Sequence, residues 1–262
     1  MIAPHRLAPR STATRRPLPA RDPSIDALSP DERAIAAATW HGRAESELRA
    51  SGSFAYIAGV LAEAGAPGEL VALARRAIHD ERRHAMICWY AACAYAGHAL
   101  PEPRRLPLAI PRLPRASAEL RRVLHVIGMC CLNETTANAF HELCRDGARA
   151  PLATAVLHEL ACDEVDHARL GWAFAAGPAV DAATRRELAG WLPELLAGNV
   201  AAWRERPRRA ISDALVAHGC PRWDDVDRVV IAAIDDLLLP GFADIGIDVA
   251  PARNFARSLS TG

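Results

Sequence analysis

Apolar residues recur at helical spacing along most of the chain after residue 30, in stripes such as Trp40, Ala44, Phe54, Ala58, Leu61 and Leu124, Ile127, Cys131. Ser29-Pro30-Asp31-Glu32 reads as a helix start, with proline at the first helical position and acids in the first turn, where they complement the helix dipole. It predicts a first helix from Asp31 to about Ala64, and after the turn Gly65-Ala66-Pro67-Gly68 a second from Glu69 to about Gly97. Pro101, Pro103, Pro107, Pro111 and Pro114 keep Leu100 to Arg115 out of helix and central strand, so this stretch should lie extended. A third helix is expected from Ala116 to Arg145, broken by Asp146-Gly147, and a fourth from about Pro151 to Ala176, ended by Gly177-Pro178. Asp181 to Arg206 and Trp223 to Leu239 read as two further amphipathic helices, and the chain from Pro240 onward as irregular.

The proline-rich stretch has a geometric use. About 16 extended residues at ~3.1 Å each reach ~50 Å, whereas a helix of about 30 residues is ~45 Å long. The stretch can carry the chain back along a whole helical bundle, which makes the second and third helices parallel. That is the one-crossover topology, not simple up-down-up-down. The expected division is a disordered basic tail over 1–30, a four-helix bundle over 31–177 and a C-terminal helical extension over 178–262 packed on it.

Composition narrows the function. The chain of 262 residues has 31 arginines, no lysine and 31 acidic residues, so its formal net charge is zero. Nucleic-acid binding by bulk electrostatics is disfavoured. Its longest uncharged apolar run, Ala85 to Gly97, is shorter than the roughly 20 residues of a membrane span, and no membrane partner is expected. Seven cysteines without a Cys-x-x-Cys pair fit a reduced cytoplasmic protein better than a disulfide framework, a zinc knuckle or a rubredoxin-type iron site.

The chemistry lies in an internal repeat. Asp80-Glu81-Arg82-Arg83-His84-Ala85 recurs 83 residues later as Asp163-Glu164-Val165-Asp166-His167-Ala168, each followed by a tryptophan, Trp89 and Trp172. Glu-x-x-His should arise about 0.6 times by chance in this composition, but two copies extended to Asp-Glu-x-x-His-Ala with the tryptophan are not a chance pairing. Residues three apart on a helix share a face, so each copy offers a carboxylate and an imidazole to one metal ion. A pair of divalent ions needs further carboxylates. Glu134 stands on the stripe Leu124, Ile127, Cys131, Glu134, Asn138, His141, a lone acid among apolar or neutral residues. On the first helix Glu47 is preferred to Glu45, because it shares a face with Trp40, Ala44, Phe54, Ala58 and Leu61. Asn138 and His141 lie one and two turns beyond Glu134 and are candidates for a substrate pocket. Trp89 and Trp172 read as core packing.

The ordered set Glu47, Glu81/His84, Glu134, Glu164/His167 resembles the pattern Glu, Glu-x-x-His, Glu, Glu-x-x-His of the ferritin-like diiron-carboxylate superfamily, over roughly residues 31 to 177. The aspartate before each glutamate and Arg83 before His84 resemble its oxygenase and desaturase branch. The resemblance implies an all-α ferritin-like four-helix bundle with one long crossover plus C-terminal helices. It also implies two iron ions, with manganese or mixed manganese and iron as alternatives. Asp80 and Asp163 would orient the histidine ligands from behind, and Glu81 and Glu164 would be the catalytic carboxylates. The expected activity is oxidation of a small organic substrate by O2, with electrons from an external donor and a homodimer as a possible assembly. The alternative is iron handling or peroxide reduction, as in ferritins and rubrerythrins.

Overall fold

The computed structural model describes residues 17–108, 110–205 and 209–260, and every regular element among them is helical. Helix α1 (Pro30–Glu63) opens on a complete capping box: Glu32 N–H donates to Ser29 Oγ at 3.3 Å, and Ser29 N–H donates to the Glu32 carboxylate at 3.1 Å. Helix α2 (Gly68–Ala96) ends on Gly97, whose φ of +75° suits a residue without a Cβ. Helices α3 (Ala118–Val126) and α4 (Glu134–Gly147) are one continuous rod joined by a π-helical segment, Ile127–Asn133, and α5 (Pro151–Ala176) returns beside it.

Contacts across the helices fix their directions. Arg76 meets Asp166, and Arg83 meets Glu159 and Asp163, so α2 and α5 run antiparallel. Tyr56 meets His125 and Arg43 meets Cys144, so α1 runs antiparallel to the α3–α4 rod. The short turns at 64–67 and 148–150 reverse the chain, which leaves α2 and the α3–α4 rod parallel and joined by the extended stretch from residue 97 to 117. Side chains tie that stretch down. His125 Nε2 donates to the Pro111 carbonyl at 2.9 Å, Trp89 Nε1 donates to the Leu100 carbonyl at 3.3 Å, and the Glu45 carboxylate accepts from Arg104 N and Nε at 3.3 and 3.0 Å.

Three expectations need correction. The segment expected as disordered up to residue 30 carries, from Pro23 to Ala27, a turn of 3₁₀-helix that buries Ile25, and Leu28 is buried as well. Asp22 accepts from Leu152 N at 2.8 Å and so caps α5. Residues 1–16 of that tail lie outside the described residues. The third predicted helix is not regular, because the π segment inserts a wider turn just before Glu134. The C-terminal stretch beyond Pro240 is not irregular: α6 (Ala182–Arg204), α7 (Asp213–Ala217) and α8 (Trp223–Ala233) are followed by a π turn at Ile234–Leu238, α9 (Leu239–Asp244) and α10 (Ala250–Ser260). Pro251 stands in the first turn of α10, where proline has no helical hydrogen bond to lose, whereas Pro240 follows the π turn directly in a continuous helical run from Trp223 to Asp244.

The C-terminal helices close the core. Phe242 packs against Trp172 at a ring separation of 4.9 Å, and Trp172 Nε1 donates to Thr135 Oγ1 at 3.1 Å. Gly219, with φ +79°, lies so close to Trp40 that a Cβ would come within 2.9 Å of its ring, while Trp40 Nε1 donates to the His218 carbonyl at 3.1 Å. None of the seven cysteines is in a disulfide, and all but Cys162 are buried. No described helix is long and apolar enough to cross a membrane.

Candidate metal centre

All six residues read as ligands from sequence are buried and converge between α1, α2, α4 and α5. They form two groups, Glu47, Glu81, His84, Glu164 and Glu81, Glu134, Glu164, His167, and within each group one ligand atom per residue lies within 4.8 Å of all the others. Glu81 and Glu164 belong to both groups. One glutamate from each repeat is thus shared, while Glu47 and His84 lie at one end and Glu134 and His167 at the other. The choice between Glu47 and Glu45 is settled by the same geometry, since Glu45 faces the extended stretch and holds Arg104.

Helix geometry explains the convergence. His84 Nδ1 lies 3.4 Å from Glu81 of its own helix and 3.2 Å from Glu164 of the other, and His167 Nδ1 lies 3.3 Å from Glu164 and 3.1 Å from Glu81. Both Nδ1 atoms and Glu81 Oε2 are buried without a hydrogen-bond partner. Such orphaned atoms are rare in protein interiors, and here they face one another across a set of carboxylate and imidazole donors. The residues could hold metal ions.

The aspartates act across the repeat. Asp163, beside Glu164, lies 3.2 Å from Nε2 of His84, and Asp80, beside Glu81, lies 3.7 Å from Nε2 of His167. Each lies behind the histidine of the opposite copy, and the hydrogen bond between Asp163 and His84 Nε2 orients that ring with Nδ1 inward. Arg83 donates to Asp163 and, at 2.9 Å, to the buried Glu159.

The clustered side chains shift one another's titration. Burial, followed by repulsion from Glu81 and Glu164, holds the Glu47 and Glu134 carboxyls well above the usual range. Burial raises Glu81 and Glu164 too, but the close approach of the His167 and His84 imidazoles outweighs it and both carboxyls fall below the usual range, Glu164 well below. Burial opposes the charge on His84 and His167, yet the carboxylates packed against them raise both imidazoles above their ordinary value.

Asn138 and His141 do not line either of two surface cavities, of about 720 and 420 Å³, the larger of which is lined by Arg33, His41, Glu45, Tyr95 and Pro101 among others. Asn138 Nδ2 donates to the backbone carbonyls of Glu134 at 3.1 Å and Glu164 at 2.9 Å, so the expected pocket residue is a tie between α4 and α5. His141 is buried with Nδ1 4.0 Å from Glu164, and burial pushes its imidazole down to about 4. Two residues near the centre escaped sequence reasoning. Glu159 lies in the apolar half of α5 with no local signal. Arg43 stands on the buried stripe of α1 one turn before Glu47, stacked 4.4 Å from Trp40 and 5.3 Å from Phe140, and its Nη2 donates to Cys144 Sγ and the Gly219 carbonyl. Comparison with protein-family models, curated proteins and solved structures finds no match to this chain.

Proposed function

We propose that the chain is a ferritin-like dinuclear-metal oxidoreductase that uses O2 to oxidise a small organic substrate, with iron as the metal and electrons from an external donor. The observation that carries this reading is the sharing of Glu81 and Glu164 between two ligand groups that each add one glutamate and one inward-facing histidine nitrogen. A pair of ions so held supplies two electrons together to a small oxidant. The chain's own residues do the rest. Glu81 and Glu164, common to both groups, would be shared between two bound ions, and as carboxylates they would adapt their binding mode to the charge at the centre. Glu47 and Glu134 close the ends. Asp163 holds the His84 imidazole in the orientation that binding requires, and Phe54, whose ring lies 4.9 Å from that of His167, helps to exclude water. The parallel α2 and α3–α4 rod, joined by an extended crossover, supports the ferritin-like reading of the fold.

The test is the metal content of protein produced with iron and manganese supplied, counted per chain beside Glu134→Ala. About two ions per chain in the parent and fewer in the variant are expected for a dinuclear site. Absence of metal from both would sink the reading, and uptake of many ions per chain would favour iron handling over oxidation.

A further inference from the structure

This inference rests on the dinuclear reading above. The offset of 83 that relates the two motifs also relates Arg76 to Glu159 and Arg83 to Asp166. Those four residues form two ion pairs between α2 and α5, Arg83–Glu159 at 2.9 Å and Arg76–Asp166. Each pair is the image of the other under the internal repeat, with the charges exchanged. Each arginine also holds the aspartate that stands behind one histidine: Arg83 binds Asp163, behind His84, and Arg76 Nε lies 3.8 Å from Asp80, behind His167.

The two networks differ in wiring and in contact with solvent, for Arg83 holds Asp163 of the opposite helix whereas Arg76 lies beside Asp80 of its own. The side chains of Arg83, Glu159 and Asp163 are 14%, 2% and 4% exposed, whereas those of Arg76, Asp166 and Asp80 are 56%, 40% and 18% exposed. The histidines follow suit. His84 Nε2 lies 3.2 Å from its aspartate, while His167 Nε2 lies 3.7 Å from its own and has no hydrogen-bond partner.

We infer that the Glu134/His167 position is where ions enter and leave the centre, and that the Glu47/His84 position retains its ion. For an ion to depart, its histidine must swing aside. At His84 that motion breaks the hydrogen bond to Asp163 inside a buried network where water cannot replace it, which is costly, while the Arg83 pairs stay closed. At His167 water can take the place of the lost contact, because Asp80, Arg76 and Asp166 are already partly solvated. The Arg43 charge beside Glu47 weakens binding at the retained position but opens no path out. The order is therefore read in release rates and not in binding constants. Outer partners of metal-bound histidines contribute on the order of 10–100-fold to metal retention, and the two release rates should differ by about that factor.

The test is to load the protein anaerobically with ferrous iron and follow its removal by excess ferrous chelator. The expected course is two phases of equal amplitude. Glu159→Gln should accelerate the slow phase alone, and Arg76→Ala, a change on the solvated side that leaves the core untouched, should alter the fast phase alone. Release of both ions in a single phase overturns the inference and leaves the dinuclear centre standing, as does a slow phase that responds to Arg76→Ala. Failure to take up any iron overturns both.

Discussion

Glu45 and Glu47 stand two residues apart on α1 and serve opposite sides of it. Glu45 accepts two hydrogen bonds from Arg104 on the crossover, and Glu47 is buried in the ligand cluster. Glu45→Ala should leave the metal content at the parent value and cost about 1 kcal/mol or less in a melting experiment, as expected for an ion pair whose arginine is exposed. Glu47→Ala should lower the metal content. Equal metal loss in both variants would remove Glu47 from the ligand set.

Metal binding should release protons. Glu47, Glu134, His84 and His167 all have their proton-binding range moved upward in the metal-free cluster. Binding of metal ions should therefore release protons, measurable in a weakly buffered titration with a pH indicator. The sign follows directly. In the metal-free protein the two raised imidazoles stabilise the fold at low pH and lose that contribution as pH rises through their folded values. Metal affinity must therefore increase with pH over the same interval. An affinity that does not change between pH 6 and 8 contradicts the proposed ligand protonation.

Much of the architecture is legible in the sequence because its signals are local. Ser29-Pro30-Asp31-Glu32, the glycine at 97 and the prolines of the crossover act within a few residues of themselves, so the first four helices are placed to within a residue or two of their observed ends. That Glu81, His84, Glu164 and His167 cluster is legible for the same reason, since Glu-x-x-His is a statement about one helix face. What escapes depends on how separate segments meet. The π segment at Ile127–Asn133 carries no local signature, and α7 is too short to show a period. The chain from Pro240 onward reads as irregular, although Pro240 lies in a continuous helical run and Pro251 in the first turn of a helix. Asp22 caps α5 from 130 residues away, and the roles of Glu159, Arg76 and Asp166 follow from the register between α2 and α5, which neither helix encodes alone.

Close approach at Gly171 should be required for the site. A Cβ there would come 2.7 Å from both Cβ and O of Cys130, on the π segment that leads into Glu134. Gly171→Ala must push α5 and the π segment apart, at a cost of about 1–3 kcal/mol for an overpacked interior. Because Glu134 begins the turn that follows, the variant should also lose metal more readily than the parent. Thermal melting with and without chelator measures both effects. Unchanged melting temperature and metal retention in Gly171→Ala would show that the contact yields freely.

Metal should reverse the sign of a substitution at Glu134. Without metal the carboxyl of this buried glutamate is pushed well above the usual range by burial and by the charges of Glu164 and Glu81, and Asn133 Nδ2 at 3.2 Å is its one hydrogen-bond donor among the described residues. Replacing such a group with a hydrophobic residue of similar volume removes a desolvated polar site, a change that in comparable buried clusters is neutral or stabilising by about 1–4 kcal/mol. Glu134→Met should therefore melt at or above the parent when both are stripped of metal. With metal supplied, the parent gains the binding free energy of both ions and the variant loses a ligand from one of the two positions, so the parent should melt higher. The two melting curves should cross between the metal-free and metal-loaded conditions. A variant more stable than the parent under both conditions would identify the cluster as a buried acidic core that metal does not stabilise, and a variant less stable under both would assign Glu134 a packing role that does not depend on metal.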